Sequence, residues 1–194
     1  NLLKSKKKNI SVVYLGDGAI EEGVFYESLN LAAVKNLPIL FVCENNLYSV
    51  YTQLKDRQHK NRNLKNLVKS HGIESFSLDG NDVTKVYSFT KKIISKIRKE
   101  KRPIFIEFKT YRWLEHCGPN WDDHLGYRPK GELNNWMKKC PLKIIEKKIN
   151  SKKFLSHIRS KVDKQILNAF KFAKQSSFPN KNILNNLYRN IEIK

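Results

Sequence analysis

Ile10 to Thr52 reads ISVVYLGDGAIEEGVFYESLNLAAVKNLPILFVCENNLYSVYT. An apolar run, Ile10 to Leu15, stops at Gly16-Asp17-Gly18. A helical pattern follows, with Phe25, Leu29, Ala32 and Ala33 along one face and Val24 and Leu31 beside them, until Leu37-Pro38 ends it. A second apolar run, Ile39 to Cys43, stops at Glu44-Asn45-Asn46. Two buried strands joined through a helix make a βαβ unit, whose ligand crevice lies beyond the strand carboxyl ends. Both polar signatures fall at that edge.

The residue types there suit a diphosphate with Mg²⁺. Gly16 and Gly18 let the backbone turn and approach a ligand with no Cβ in the way. A helix opening near Ala19 to Glu22 aims free N–H groups and its positive dipole end at the same place. Glu21 and Glu22 suit that dipole end, and a bound cation offsets their charge beside an anion. Mg²⁺ takes octahedral oxygen ligands, commonly one or two protein side chains with phosphates and water. Asp17 offers a carboxylate, Asn46 an amide oxygen, and the Tyr48 backbone a carbonyl.

Each half of this pattern has a plainer reading. Gly-Asp-Gly is also a tight turn, and NNLY occurs twice, at Asn45 to Tyr48 and at Asn185 to Tyr188. Only the first copy follows an apolar run and connects through a helix to Gly-Asp-Gly. The second lies in a polar C-terminal stretch and serves as an internal control.

The stretch resembles the thiamine-diphosphate motif, which begins Gly-Asp-Gly and ends Asn-Asn. GDGAIEEG with LNLAAVKNLPILFVCENNLY is similar, more closely, to the α subunit of the E1 component of 2-oxo acid dehydrogenases, the pyruvate, branched-chain and acetoin type. The resemblance implies that Asp17, Asn46 and the Tyr48 carbonyl hold Mg²⁺ on the cofactor diphosphate. It also implies that Gly18 and Ala19 lie with their backbone against that diphosphate, beside Gly16. The implied reaction is oxidative decarboxylation of a 2-oxo acid with acyl transfer to lipoyl on an E2 component. The implied partner is a β-type E1 subunit in an α2β2 heterotetramer. An acetoin-cleaving or transketolase-like enzyme of the same cofactor is the nearest alternative, and a basic binding protein with a vestigial site is the alternative from another class.

The chain has 194 residues, 40% hydrophobic, enough for one domain with its own core. No apolar run approaches the roughly 20 residues of a membrane helix, so no membrane partner is expected. Cys43, Cys117 and Cys140 are isolated in sequence and read as free thiols of a reducing, cytoplasmic compartment. The formal charge of +20 raises nucleic-acid binding. Its Lys residues are spread over the chain, however, and the densest run, KKIISKIRKEKR from Lys91, keeps Ile93, Ile94 and Ile97 at helical spacing. That is a solvated helix face, and no specific nucleic-acid partner is expected.

Further along, Gln53 to Asn63 reads as a polar loop over the site, and Asn63 to Ser70 as a short helix with Leu64, Leu67 and Val68 inward. Phe76 to Leu78 reads as a third strand, Asp82 as the N-cap of a helix to about Lys101, and Ile104 to Phe108 as a fourth strand. Alternating strands and helices imply an α/β fold, a parallel sheet with flanking helices. The expected bounds are an α/β core at about 9–110, an active-site loop at about 111–130 and C-terminal helices at about 131–194, all in one domain.

The loop TYRWLEHCGPNWDDHLGYR, Thr110 to Arg128, also leaves a strand at the carboxyl edge. Its His116, Asp122, Asp123 and His124 lack a closed zinc-like spacing. The resemblance makes His116 a catalytic and cofactor-contacting residue near the diphosphate and the reacting substrate; the plainer reading is an exposed loop histidine. The family's usual His-Gly-His-Ser is Leu114-Glu115-His116-Cys117 here, so the serine that mitochondrial members phosphorylate is a cysteine. Lys152 to about Gln175 reads as a helix with Phe154, Ile158, Val162, Ile166, Phe170 and Ala173 inward, and SSFPN with the final LNNLY resembles the family's C-terminal ending. The family's α subunit carries a substantial segment before Gly-Asp-Gly. This chain opens immediately before the motif strand, which is expected of a fragment or of a subunit completed by another chain.

Overall fold

The structure, a computed structural model, describes residues 9–179. The second NNLY and the family-like ending from residue 180 onward lie outside the described residues. The chain divides into two compact units, 1–148 and 149–194.

In the first unit, β1 (Ser11–Gly16) leads through a single 3-10 turn (Ala19–Glu21) to α1 (Gly23–Val34) and then β2 (Ile39–Asn45). A small hairpin, β3 (Tyr48–Ser49) with β4 (Thr52–Gln53), runs into the one-turn α2 (Leu54–Arg57). Next come α3 (Leu64–Ser70), β5 (Glu74–Asp79), α4 (Val83–Glu100) and β6 (Ile104–Lys109). Two short helices, α5 (Glu132–Met137) and α6 (Pro141–Glu146), close the unit. The four long strands form one parallel sheet in the order β1-β2-β6-β5. The α/β architecture read from the sequence is the observed one.

The two central strands are apolar through Ile39 to Cys43 and Ile104 to Ile106 because both of their faces are covered there. From β2, Phe41 and Cys43 pack with Phe25, Leu29 and Ala32 of α1 and with Leu64 and Val68 of α3. Its alternate residues Leu40 and Val42 pack on the other side with Ile93 and Ile97 of α4 and with Ile104 and Ile106 of β6. Period-two alternation thus feeds two cores at once. Each fully buried Leu, Ile, Val or Phe contributes about 1.5–3 kcal/mol of transfer free energy.

Some expectations are corrected. The α-helix does not open at Ala19 to Glu22: those residues form a 3-10 turn (Ala19–Glu21) and an extended Glu22 (φ −76°, ψ 142°), and α1 begins at Gly23. Glu21 therefore lies in that turn, and Glu22 stands at the N-cap position of α1 without a side-chain bond to it. Val24 and Leu31 are exposed, because only the Phe25-Leu29-Ala32 stripe meets the sheet. Among the described residues β1 pairs only with β2, so it is an edge strand, and Val12, Val13 and Tyr14 are exposed.

The second unit contains α7 (Lys152–Gln175), capped by the Ser151 side chain, which accepts from the Phe154 N–H at 3.2 Å. The helix is where the periodicity puts it. Its stripe of Phe154, Ile158, Val162, Ile166 and Phe170 is exposed, not inward, since among the described residues of this unit no second element covers the apolar face.

α4 shows its cap most clearly. The Asp82 carboxylate accepts from the Thr84 N–H at 3.1 Å, the Lys85 N–H at 3.3 Å and the Thr84 hydroxyl at 2.6 Å. These bonds, the Thr84 hydroxyl first, hold its carboxyl down at about 2. A carboxyl held below its ordinary value stabilises the fold fully above about pH 4 and loses that contribution as pH falls through about 2. Asp82→Ala is expected to lower Tm by roughly 2–4 °C at pH 7. Thermal melts of the two proteins followed by circular dichroism should converge as pH falls toward 2.

Candidate active site

The site is built from strand register. β1 and β2 run parallel with Gly16 level with Glu44, so Asp17 and Asn45-Asn46 leave the sheet side by side. The Asn46 N–H donates to Asp17 Oδ1 at 3.3 Å, joining the two halves of the motif across 29 residues. The turn after β2 is held by its own amides. Asn45 Oδ1 accepts from the Leu47 N–H at 3.1 Å and Asn46 Oδ1 from the Tyr48 N–H at 2.9 Å. Leu47 sits at φ 73°, a left-handed conformation that a branched side chain adopts only when its surroundings require it.

Behind this turn lies a buried carboxylate that the sequence reading missed. Glu107 of β6 accepts from Asn45 Nδ2 at 2.7 Å and from the Ser77 hydroxyl at 2.5 Å. The Thr110 N–H donates to the Asn45 carbonyl at 2.9 Å. Three neighbouring strands therefore converge on Asn45 at their carboxyl ends. The signal was present as the single charge within IFIEF. Close by, burial first and then Glu107 push the Cys43 thiol well above its ordinary range, so Cys43 is an inert packing residue.

Asp17 itself is 1% exposed, and its second oxygen is met by the guanidinium of Arg57. Arg57 also donates to Glu21 Oε1 at 2.5 Å, and Gln58 donates to the same oxygen at 2.6 Å. Burial alone raises the Glu21 carboxyl; the bonds from Gln58 and Arg57 outweigh it and hold the group below its ordinary value. The polar segment after β4 does reach over the site, through these two side chains. Nothing in its composition marked Arg57 among so many cations.

The glycines divide in their roles. A Cβ on Gly18 would stand 2.7 Å from Ser49 Oγ, so the bare backbone is required there for the hairpin to approach. A Cβ on Gly16 would meet nothing. Ala19 is exposed in the 3-10 turn. The Tyr48 ring turns away into an aromatic cluster with Tyr111 and Tyr127, at ring distances of 5.9 and 5.6 Å. The Tyr48 and Tyr111 hydroxyls both donate to Glu132 of α5. Burial, and then Glu132, raises both phenols above their ordinary range. A cleft of about 330 Å³ opens beside Tyr48, lined also by Gln58, His59, Lys60, Arg62 and Glu132.

The loop bearing His116 is fastened at its base. Asp122 pairs with Arg128 at 2.8 Å and lies 3.6 Å from the Arg112 guanidinium, and it accepts from the Tyr127 hydroxyl at 2.6 Å. Asp122 is thus occupied by an ion pair and does not face a metal. Above that base, Glu115 and Asn120 tie a short arch through the Glu115 N–H to Asn120 carbonyl bond at 3.0 Å and Asn120 Nδ2 to Glu115 Oε1 at 2.7 Å. His116 and Cys117 are exposed on it. The structure brings Asp17, Asn46 and Tyr48 together and leaves His116 on the arch.

A parallel α/β sheet with a buried acid and an amide converging at its carboxyl edge defines the class of fold. The chain matches the family described as Dehydrogenase E1 component over residues 3–182, and it belongs to that family. It is 35% identical over 176 residues to the pyruvate dehydrogenase E1 component subunit alpha of Rickettsia felis, covering 88% of this chain and 53% of that one. It is also 35% identical over an alignment of 195 residues to the mitochondrial 2-oxoisovalerate dehydrogenase subunit alpha 2 of Arabidopsis thaliana, covering 97% of this chain and 41% of that one. Among solved structures, transketolase from Campylobacter jejuni aligns at 25% identity with a TM-score of 0.43, over 52% of this chain and 15% of that one, and no argument rests on it. The chain spans about half the length of the curated relatives it matches.

Arg128 has its side chain fully buried against Asp122. Removing one partner of such a pair leaves an uncompensated charge, at a cost on the order of 3–5 kcal/mol. Arg128→Met is therefore expected to lower Tm by roughly 10 °C and to speed proteolytic cleavage between Leu114 and Trp121. Adding Asp122→Asn should recover much of the loss in a thermal melt.

Proposed function

We propose that this chain forms the diphosphate-binding part of an α-type subunit of a thiamine-diphosphate-dependent E1 component. The reaction is oxidative decarboxylation of a 2-oxo acid with acyl transfer to lipoyl on an E2 component. The observation that carries the reading is the meeting of Asp17 with Asn46 at the ends of two parallel strands. The donor set fits Mg²⁺: one buried carboxylate and one amide oxygen with a second lone pair free for a ligand. Among the described residues no group of three or more His, Cys, Asp or Glu offers an all-protein cage. That suits a hard cation which completes its shell with phosphate oxygens and water.

In this reading Asp17, Asn46 and the Tyr48 carbonyl hold the metal. The backbone at Gly16, Gly18 and Ala19 lies against the diphosphate, and His116 reaches it from the arch. The 3-10 turn brings less dipole than a full helix, so charge neutralisation rests more on the cation. Thiamine diphosphate supplies the electron sink of the decarboxylation. The chain's own groups position the cofactor and balance its charge. The carboxylate that works on the far, pyrimidine end comes from a β-type subunit, in an α2β2 assembly. Glu21 faces Arg57 and Gln58, and Glu44 is exposed, so neither is placed for that task. The cytoplasm is the proposed compartment. No helix among the described residues is long and apolar enough to cross a membrane.

Asp17→Ala is expected to abolish Mg²⁺-dependent thiamine-diphosphate binding in the assembled protein, and Asn46→Ala to weaken it strongly. Asn186→Ala, in the second NNLY, should leave it unchanged. Calorimetric titration of the three variants decides this, and unchanged affinity in folded Asp17→Ala sinks the metal assignment. Decarboxylase activity with an artificial electron acceptor should be absent from the purified chain and appear only with a β-type subunit and the upstream α segment. Robust turnover by the chain alone, lost on mutating one of its own glutamates, defeats the split-site reading.

A further inference from the structure

We propose that Arg57 is an internal counter-cation that competes with the divalent metal for Asp17, so that loading the site exchanges one cation for another. The inference rests on the reading of Asp17 as a metal ligand and adds a residue which that reading does not contain.

Both oxygens of the Asp17 carboxylate are occupied. Oδ1 accepts the Asn46 N–H at 3.3 Å, a long bond, and Oδ2 faces the Arg57 guanidinium. A carboxylate this deeply buried has lost its hydration and is costly without a cation or several donors beside it, and Arg57 supplies the opposite charge. Nor is Arg57 a loose surface side chain. Its side chain is 11% exposed, and three of its nitrogens have partners: Nη2 with Asp17, Nη1 with Glu21 Oε1 at 2.5 Å, and Nε with the Thr52 carbonyl at 3.3 Å. The next residue, Gln58, donates to Glu21 at 2.6 Å and to the Asp17 backbone carbonyl at 3.4 Å. Two consecutive side chains from α2 and its C-terminal cap thus close over the turn that follows β1.

An inner-sphere metal on Asp17 needs a carboxylate lone pair and the space before it. Arg57 Nη2 fills that space at Oδ2, while Oδ1 accepts one long bond from the Asn46 amide and keeps a second lone pair. A guanidinium and a divalent cation at one oxygen also repel each other at short range in a site of low dielectric. Metal bound at Oδ2 therefore displaces Nη2, and metal bound at the remaining lone pair of Oδ1 is opposed by the Arg57 charge beside it. The remaining bonds allow that displacement with a small motion, since Glu21 and the Thr52 carbonyl retain the other side of the fork. The apparent metal affinity is then the intrinsic affinity reduced by the fraction of molecules in which Asp17 is free of Arg57. When the metal is absent, Arg57 keeps the buried charge from standing alone.

The test uses the full chain and Mg²⁺ alone, comparing wild type, Arg57→Met, and Arg57→Met combined with Asp17→Asn. Arg57→Met keeps an apolar stem in the same space without the charge. Its Tm is expected to fall in EDTA and to recover with Mg²⁺, with an apparent Kd about tenfold or more below that of wild type. The double variant should show neither the fall nor the Mg²⁺ response. An Arg57→Met protein that binds Mg²⁺ no more tightly than wild type, or more weakly, overturns the inference. If Arg57→Met fails to fold, wild type still decides. The Arg57 guanidinium NMR signals should shift in step with Mg²⁺ and thiamine diphosphate, and signals that stay fixed during Asp17-dependent binding also overturn it. Either failure leaves intact the loss of cofactor binding in Asp17→Ala, so the function reading and this inference fail separately.

Discussion

Two parallel strands that end level with one another release their next residues on the same side of a sheet, and the turns that follow must share that space. β1 and β2 end in this way, with Gly16 opposite Glu44. Shifting that register by one residue would turn each strand's inward set outward, and Phe41 and Cys43 would lose their places against α1. The register is thus held by the core, many side chains deep. Because it is held, Asp17 and Asn46 meet without either having to search for the other. The left-handed Leu47 is tolerated for the same reason: Asn45 is fixed from β5 and β6, and the turn after it must comply.

Three buried carboxylates lie along or just above this carboxyl edge, and each is compensated differently. Glu107 has two neutral donors on neighbouring strands. Asp122 has a fully buried Arg128 at 2.8 Å, an arrangement suited to permanence. Asp17 has Arg57, which reaches in from a one-turn helix and shares itself with Glu21. The first two brace what surrounds the site, while the third leaves the acid with a partner on a short, peripheral element. This difference in anchoring separates a structural acid from one whose cation can change.

The sheet was legible in the sequence because period-two and period-3.6 patterns report burial directly. Ile39 to Cys43 has no polar residue since both faces of β2 are covered, and Ile93 with Ile97 is the buried stripe of α4. Pairing Asp17 with Asn46 followed from where the two apolar runs stop. What the sequence hid was long-range polar partnership. Arg57 is one of 38 Lys and Arg residues, and only the fold distinguishes it. Glu107 stood out as a charge within a strand, yet its bond to Asn45 spans 62 residues. The start of α1 was misplaced because Glu21 and Glu22 read as an acidic first helical turn, whereas Glu21 lies in a 3-10 turn and α1 begins after Glu22 with no acid in its first turn. The stripe on α7 has the correct period, but a period says only which residues share a face and nothing of what covers them.

Among the described residues the side of β1 away from β2 has no strand partner, and this bears on how copies of this chain behave toward one another. An edge strand presents a row of unpaired N–H and C=O groups to any chain that approaches in register. Here the apolar Val12, Val13 and Tyr14 are exposed on the strand. The chain's formal charge of +20 opposes such encounters, since like-charged copies repel over about one Debye length, roughly 10 Å at 0.1 M salt and only about 3 Å at 1 M. Colloidal behaviour should then run against the usual remedy for a basic protein. Added salt removes the repulsion that keeps strand edges apart, so dilute buffer is the condition in which single copies persist.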